Sequence, residues 1–230
     1  MRRALAIIGL GIGLLGFVAG FAVVYYRLPP YHQVHRLISG ASPPAPHTPP
    51  TYQLWRESYR WPREGVRVVM LGDSITRLGD WHALLGRDDT SNLAIPGDTS
   101  YGVLYRAGDG NIPPGSAVFI LVGVNDVTRS IPVEDTLANM EQIVRSLATD
   151  RSIYLQSTLF TERAAWNRDI RRMVAGQKQL CARLDCVFVD LNAELAPEGM
   201  LLAEYSADGI HLSRAGYARW ADIVRRHLKR

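Results

Sequence analysis

Acidic residues are missing from the first 50 positions of this 230-residue chain, and cysteine and lysine are each down to two. Two cysteines cannot staple a small secreted scaffold, so stability must come from a packed core. The lysine shortage, against 24 arginines, carries no functional weight. The formal charge of +4 looks like a nucleic-acid signal, but Arg2, Arg3, Arg27 and Arg36 account for all of it. The remainder holds 22 basic and 22 acidic residues and has no electrostatic footprint for a phosphate backbone. Apolar residues at 47% and charged residues at 21% exclude a disordered, collagen-like or coiled-coil chain. Of the six histidines, His32, His35 and His47 precede residue 52, and His82 has no partner at ligand spacing, so neither a metal nor a cofactor is expected. A Gly-Lys-Ser/Thr phosphate loop is missing, and Ile75 stands where an Asp73-based phosphoryl transfer would need a second Asp.

What is present divides the chain into three parts: an anchor at 1–27, a linker at 28–51 and a domain at 52–230. Residues 4–24 form a 21-residue run without charge, roughly 30 Å long as a helix, which matches a bilayer core. Arg2 and Arg3 before it, against Arg27 after it, hold the amino terminus in the cytoplasm and place the domain outside the cytoplasmic membrane. An uncleaved anchor is expected over a cleaved signal, because the run is long and ends without a good cleavage site. Its Gly-x-x-x-Gly pairs read as ordinary glycine in a span. The stretch GASPPAPHTPPT holds five prolines and reads as a semi-rigid spacer.

The domain alternates short apolar runs with amphipathic stretches. Strands are expected at 66–71, 92–95, 117–122, 153–156 and 186–189, and helices at 133–148, at 165–184 and after Ser213. Near-continuous apolar strands alternating with helices argue for an α/β fold, a parallel sheet covered on both faces. In such sheets chemistry sits at the carboxyl ends of the strands.

Those ends carry a consistent set of residues. The first strand closes on Gly72-Asp73-Ser74-Ile75-Thr76, the second on Pro96-Gly97-Asp98 and the third on Gly123-Val124-Asn125-Asp126. Asp208-Gly209-Ile210-His211 precedes the last helix. A serine on a strand-to-helix turn becomes a nucleophile when a base reaches it, and histidine is the usual base. An Asp three residues earlier can fix the imidazole tautomer. A loop glycine and an asparagine amide can supply donors to an oxyanion. Each piece alone reads as ordinary turn chemistry, whereas four such loops in order supply every part of an acyl-transfer site.

With its motifs GDSIT, NLAIPGDTS, GVND and DGIHLS, the chain resembles the SGNH/GDSL hydrolase superfamily from about residue 66 onward. The resemblance implies a flavodoxin-like three-layer α/β/α fold with a five-stranded parallel sheet, here preceded by one transmembrane helix. It implies Ser74 as nucleophile, His211 as base and Asp208 as the residue orienting it. It also implies an oxyanion hole from the Ser74 and Gly97 N–H groups and the Asn125 side chain. The short domain is similar to small bacterial acylesterases and the platelet-activating-factor acetylhydrolase-like branch.

The expected activity is hydrolysis of a carboxylic ester, short-chain such as acetyl, through an acyl-enzyme. Acyl transfer to a cell-envelope acceptor uses the same residues and stays open; a lysophospholipase or thioesterase is a further alternative. A binding module that has lost catalysis would show a broken triad. The expected partners are a small-molecule or glycan ester and, through the N-terminal helix, the membrane. Leu78, Trp81, Tyr101, Leu104, Phe160 and Thr161 are expected to border the site, with 78–90 and 158–167 as the longest stretches able to cover it. Both stretches are short and charged, which argues against a deep acyl groove. Cys181 and Cys186 are expected as packed thiols, although a bridge is open to them in an oxidising compartment.

Overall fold

The alternation of β-branched runs and amphipathic stretches is realised in a computed structural model that describes residues 52–58 and 64–229. The expected anchor, the linker and their orientation lie outside the described residues. Among the described residues no helix is long and apolar enough to cross a membrane.

Five strands form one parallel sheet: β1 (Val68–Gly72), β2 (Thr90–Asn92), β3 (Ala117–Leu121), β4 (Ser152–Gln156) and β5 (Val187–Val189). Their spatial order is β2-β1-β3-β4-β5, with every neighbouring pair parallel. This is the flavodoxin-like order, in which strand order reverses between β1 and β3. Side chains alternate across the sheet with period two. Val69, Leu71, Val118, Ile120, Ile153 and Leu155 face one layer; Val68, Met70, Phe119, Leu121 and Val189 face the other.

Against the first face pack α4 (Ser100–Ala107), α6 (Val133–Leu147) and α7 (Ala164–Arg183), through Val103, Met140, Ile143, Met173 and Leu180. Against the second pack α3 (Trp81–Leu85), α8 (Asn192–Leu195) and α9 (Arg214–Leu228), through Trp81, Leu195, Trp220 and Val224. Short helices α1 (Tyr52–Ser58), α2 (Ser74–Arg77) and α5 (Val124–Thr128) complete the set. The three long helices fall within a residue of their expected bounds, and Ser213 caps α9 by accepting from the Gly216 N–H.

Two expectations are corrected. The second strand lies at Thr90–Asn92, not 92–95. The Asn92 side chain ends it: its amide donates to the Thr76, Arg77 and Gly79 carbonyls, and its oxygen accepts from the Ala94 N–H. The chain still follows β1, because the Leu93 and Ile95 N–H groups donate to Met70 and Gly72. The cysteines are bridged rather than reduced. The turn after α7 brings the Cys181 and Cys186 Cα atoms to 5.0 Å, within bridging range.

Candidate active site

The reversal point between β1 and β3 puts the loops after these two strands side by side. Asp73, first of the β1 loop, caps α2 by accepting from the Ile75 N–H at 2.9 Å. Ser74 follows as the first residue of that helix and is half-buried. Its Oγ lies 2.9 Å from His211 Nε2, and His211 Nδ1 lies 2.7 Å from Asp208 Oδ2. An imidazole bonded to a hydroxyl on one nitrogen and a carboxylate on the other can take up the hydroxyl proton.

The His211 loop is built locally. Asp208 Oδ1 accepts from the Ile210 and His211 N–H groups. These bonds, the nearer ones to His211 first, hold the Asp208 carboxyl down at about 2, although its side chain is 54% exposed. A bridge between Ser206 and Leu212 closes the loop, and the Glu162 N–H donates to Gly209. Tyr217 on α9 donates its hydroxyl to the Ile75 carbonyl at 2.6 Å, which ties the helix that follows the histidine loop to the helix that begins at Ser74.

Asn125 is the second residue of α5 after β3, and its amide donates to the Asp98 carbonyl at 2.9 Å, leaving its second N–H for another acceptor. Gly97 takes a φ of +75°, a left-handed turn that glycine accommodates without strain. Among the described residues, neither the Ser74 nor the Gly97 N–H finds an acceptor. Arg129 donates to the Gly97 carbonyl from the solvent side. The structure therefore joins Ser74, His211 and Asp208 in one run of contacts, and sets Asn125 against the Asp98 carbonyl next to Gly97.

Several residues went unassigned in the sequence reading. Asp98 and Arg106 form a buried ion pair at 2.9 Å. Asp126 accepts from the Ser100 N–H and hydroxyl and the Thr136 hydroxyl, and Asn139 donates to Ser100. Burial drives Asp73 up to about 7 and Asp126 up to about 6. A signal was available: Arg106 interrupts the apolar side of α4 between Val103 and Ala107, and Asn139 sits beside Met140 on the buried stripe of α6.

The expected border residues divide: Leu78 and Trp81 line a cleft beside the site, and the others pack inward. Tyr101 and Phe160 are buried, Phe160 with Ile170 and Ala196, and Thr161 is occupied by Asn167. Leu104 packs on the core. Only Leu78, at 62%, is strongly exposed. It helps line an open cleft of about 970 Å³ with Trp55, Arg77, Trp81, His82 and Pro96. The cleft adjoins the site, since Leu78 bonds back to Ser74 and Pro96 precedes Gly97.

A serine, histidine and aspartate in sequential contact at the switch point of a parallel sheet define the class of α/β serine ester hydrolases. Residues 70–219 match the GDSL-like lipase/acylhydrolase family, and the chain belongs to it. A Streptococcus pneumoniae protein described as a platelet activating factor is similar in structure, at 26% identity and a TM-score of 0.69 over 77% of this chain and 90% of that one. An acetylxylan esterase from Geobacillus stearothermophilus shares the fold, at 21% identity and a TM-score of 0.60 over 71% of this chain and 94% of that one. In sequence, the chain is 27% identical over 167 residues to an N-acylneuraminate cytidylyltransferase of Streptococcus agalactiae. That match takes in 66% of this chain and 40% of the relative's length.

Proposed function

We propose that this protein is a serine esterase that cleaves short acyl groups, acetyl foremost, from a polar alcohol such as a glycan hydroxyl. The observation that carries it is the Ser74 Oγ–His211 Nε2 contact of 2.9 Å, with Asp208 on the far side of the ring. His211 takes the Ser74 proton as Oγ attacks the ester carbonyl. The tetrahedral oxyanion is met by the Ser74 and Gly97 N–H groups and the free N–H of Asn125. Collapse of the intermediate breaks the ester bond, and His211 returns the proton to the leaving alcohol. Water, deprotonated by His211, then attacks the acyl-enzyme and releases the carboxylic acid.

The short-acyl reading is supported by what covers the site. Residues 158–161 and Asn167 are buried while 162–165 are exposed, so 158–167 is a short turn standing on a packed base and offers no apolar lid that could shelter a chain. A long acyl chain is worth roughly 0.8 kcal/mol per methylene only where a deep apolar groove removes it from water. The acetylxylan esterase relative acts on acetyl groups of a glycan, which favours the same pairing here. Transfer of the acyl group to a second hydroxyl needs the same residues and differs only in the final acceptor.

We further propose that the domain lies outside the cytoplasmic membrane, tethered by residues 4–24. Arg2 and Arg3 support this, as does the Cys181–Cys186 bridge, since disulfides persist in oxidising compartments. The test is a series of p-nitrophenyl esters from acetyl to palmitoyl, assayed on the wild-type chain and on Ser74→Ala. The expected outcome is kcat/KM highest from acetyl to hexanoyl, abolished in Ser74→Ala, with a serine-directed phosphonate labelling Ser74 alone. Full activity in Ser74→Ala removes the nucleophile assignment. Activity rising steadily to palmitoyl removes the short-acyl reading while leaving the esterase intact.

A further inference from the structure

Arg106 is a cation in a place that gives it no role in solubility: its side chain is 2% exposed, and that of Asp98 is 1%. Its three donor positions reach two strand ends, the close of β1 once and the stretch after β2 twice. Nε donates to Asp98 Oδ2 at 2.9 Å, Nη1 to the Leu93 carbonyl at 2.6 Å and Nη2 to the Gly72 carbonyl at 2.9 Å. Gly72 leads through Asp73 to Ser74, and Asp98 follows Gly97. The Asp98 carbonyl in turn holds the Asn125 amide. Every donor assigned to the oxyanion is therefore fixed within a few bonds of this ion pair. Helix α4 is shaped to admit it. A Cβ at Gly102 would stand 1.7 Å from Asp98 Oδ1, so the carboxylate lies against bare helix backbone there.

We propose that the buried Asp98–Arg106 pair is the positioning element of the oxyanion hole, holding the β1 loop, the Gly97 turn and Asn125 in the register that the transition state requires. The proposal rests on the esterase reading above and deepens it. A buried ion pair is a weak source of stability, because desolvation of both charges offsets their attraction. Its contribution here is geometric. The planar guanidinium fork orients several acceptors at once, which a lysine ammonium on a flexible stem cannot reproduce. Oxyanion donors act through preorganisation, so a small loosening of their spacing lowers the rate without weakening ground-state binding.

The test uses the full chain. Arg106→Lys keeps the charge and removes the fork; Asp98→Asn keeps the shape and removes the charge on the other side. Each is measured as kcat and KM for p-nitrophenyl acetate, with rates expressed per site titrated by a phosphonate, so that misfolded protein does not count. Each is then combined with Asn125→Ala. The expected result is a fall in per-site kcat of about 10- to 100-fold with KM within about threefold. Each double variant should lose clearly less than the product of the two single losses, because part of the pair's effect runs through the donor that Asn125→Ala removes. An unchanged per-site kcat, losses that multiply in the double variants, or two variants with no titratable site at all would each overturn the positioning role in favour of a structural one. A wild-type chain that releases p-nitrophenol no faster than Ser74→Ala would sink the esterase reading itself, and the proposal with it.

Discussion

The site has two halves built on opposite principles. Ser74, Gly97 and Asn125 stand on a buried polar scaffold in which Asp73, Asp98, Arg106 and Asp126 are each no more than 3% exposed. Asp208 and His211 stand on a surface loop, with Asp208 bonded to residues two and three positions further along. Their carboxylates are shifted in opposite directions. Burial pushes Asp73 up to about 7, whereas hydrogen bonds from His211 bring Asp208 down to about 2. A proton carrier needs one good contact on each ring nitrogen, and a four-residue turn supplies the second of these. Donors aimed at a charge that exists only in the transition state must already be fixed when it forms, and three separate loops have to be clamped to fix them.

Beyond loss of the nucleophile itself, substitution at the end of the buried half gives the largest effect. Asn125→Ala removes one donor and frees the Asp98 carbonyl. It should lower kcat by about 10²–10³-fold with a modest change in KM, measured with p-nitrophenyl acetate. A change confined to KM would move Asn125 from the transition state to ground-state binding.

The opposed pKa shifts make the comparison visible in stability. Between about pH 4 and 7 the folded chain holds a proton on Asp73 that the unfolded chain has lost, so Asp73 makes stability fall as pH rises through that window. Asp208 works the other way: its contribution is present above about pH 4 and is lost as pH falls towards 2. Asp73→Asn should therefore gain on the wild type with rising pH. On the order of 3 kcal/mol separates their difference at pH 4 from that at pH 8, read by denaturant unfolding. A difference that is flat with pH would mean Asp73 is ionised in the fold at acid pH, against its burial.

How far the sequence revealed this divided along the same line. The exposed half was readable because Asp208 and His211 are three residues apart and their contact is local. Four of the strands and the three long helices were readable because continuous apolar runs mark the former and a helical stripe marks the latter. Helices α1, α2, α4 and α5 span four to eight residues and were not marked as elements, being too short to display one. The scaffold under Gly97 stayed hidden because its contacts join distant positions: Arg106 to Gly72, 34 residues apart, and Ser100 to Asp126, 26 apart. The second strand was misplaced because hydrophobicity peaks at Leu93–Ile95, whereas Asn92, a polar residue, decides where regular pairing ends.

On the exposed half, a smaller loss is expected. Asp208→Ala removes a carboxylate whose side chain is 54% exposed, where water and salt already weaken its hold on the imidazole. The local bridge between Ser206 and Leu212 still carries the loop. The fall in kcat should be about 10- to 100-fold, smaller than for Asn125→Ala, and should shrink further in the ratio to wild type at high salt. A loss larger than that of Asn125→Ala would show that the loop depends on Asp208 for its shape and would erase the contrast between the halves.

The smallest effect on activity belongs to the disulfide, which tests whether the ends of the sheet are independent. Cys181 lies near the end of α7 and Cys186 just before β5, an edge strand, so the bridge sits at the amino-terminal end of the sheet, while the site occupies the carboxyl ends of β1 and β3. It closes a loop of five residues' separation, for which chain-entropy arguments give about 2 kcal/mol. Substituting both cysteines by serine should lower the unfolding free energy by about that amount and leave kcat and KM for p-nitrophenyl acetate unchanged. Alkylation of intact cells adds a second reading. A domain outside the cytoplasmic membrane should resist a thiol reagent until a reductant is supplied, whereas one held in the cytoplasm should react at once. A change in kcat on breaking the bridge would mean that strain at β5 travels across the sheet to Ser74, and that the buried scaffold around Arg106 does not isolate the oxyanion loops as its contacts imply.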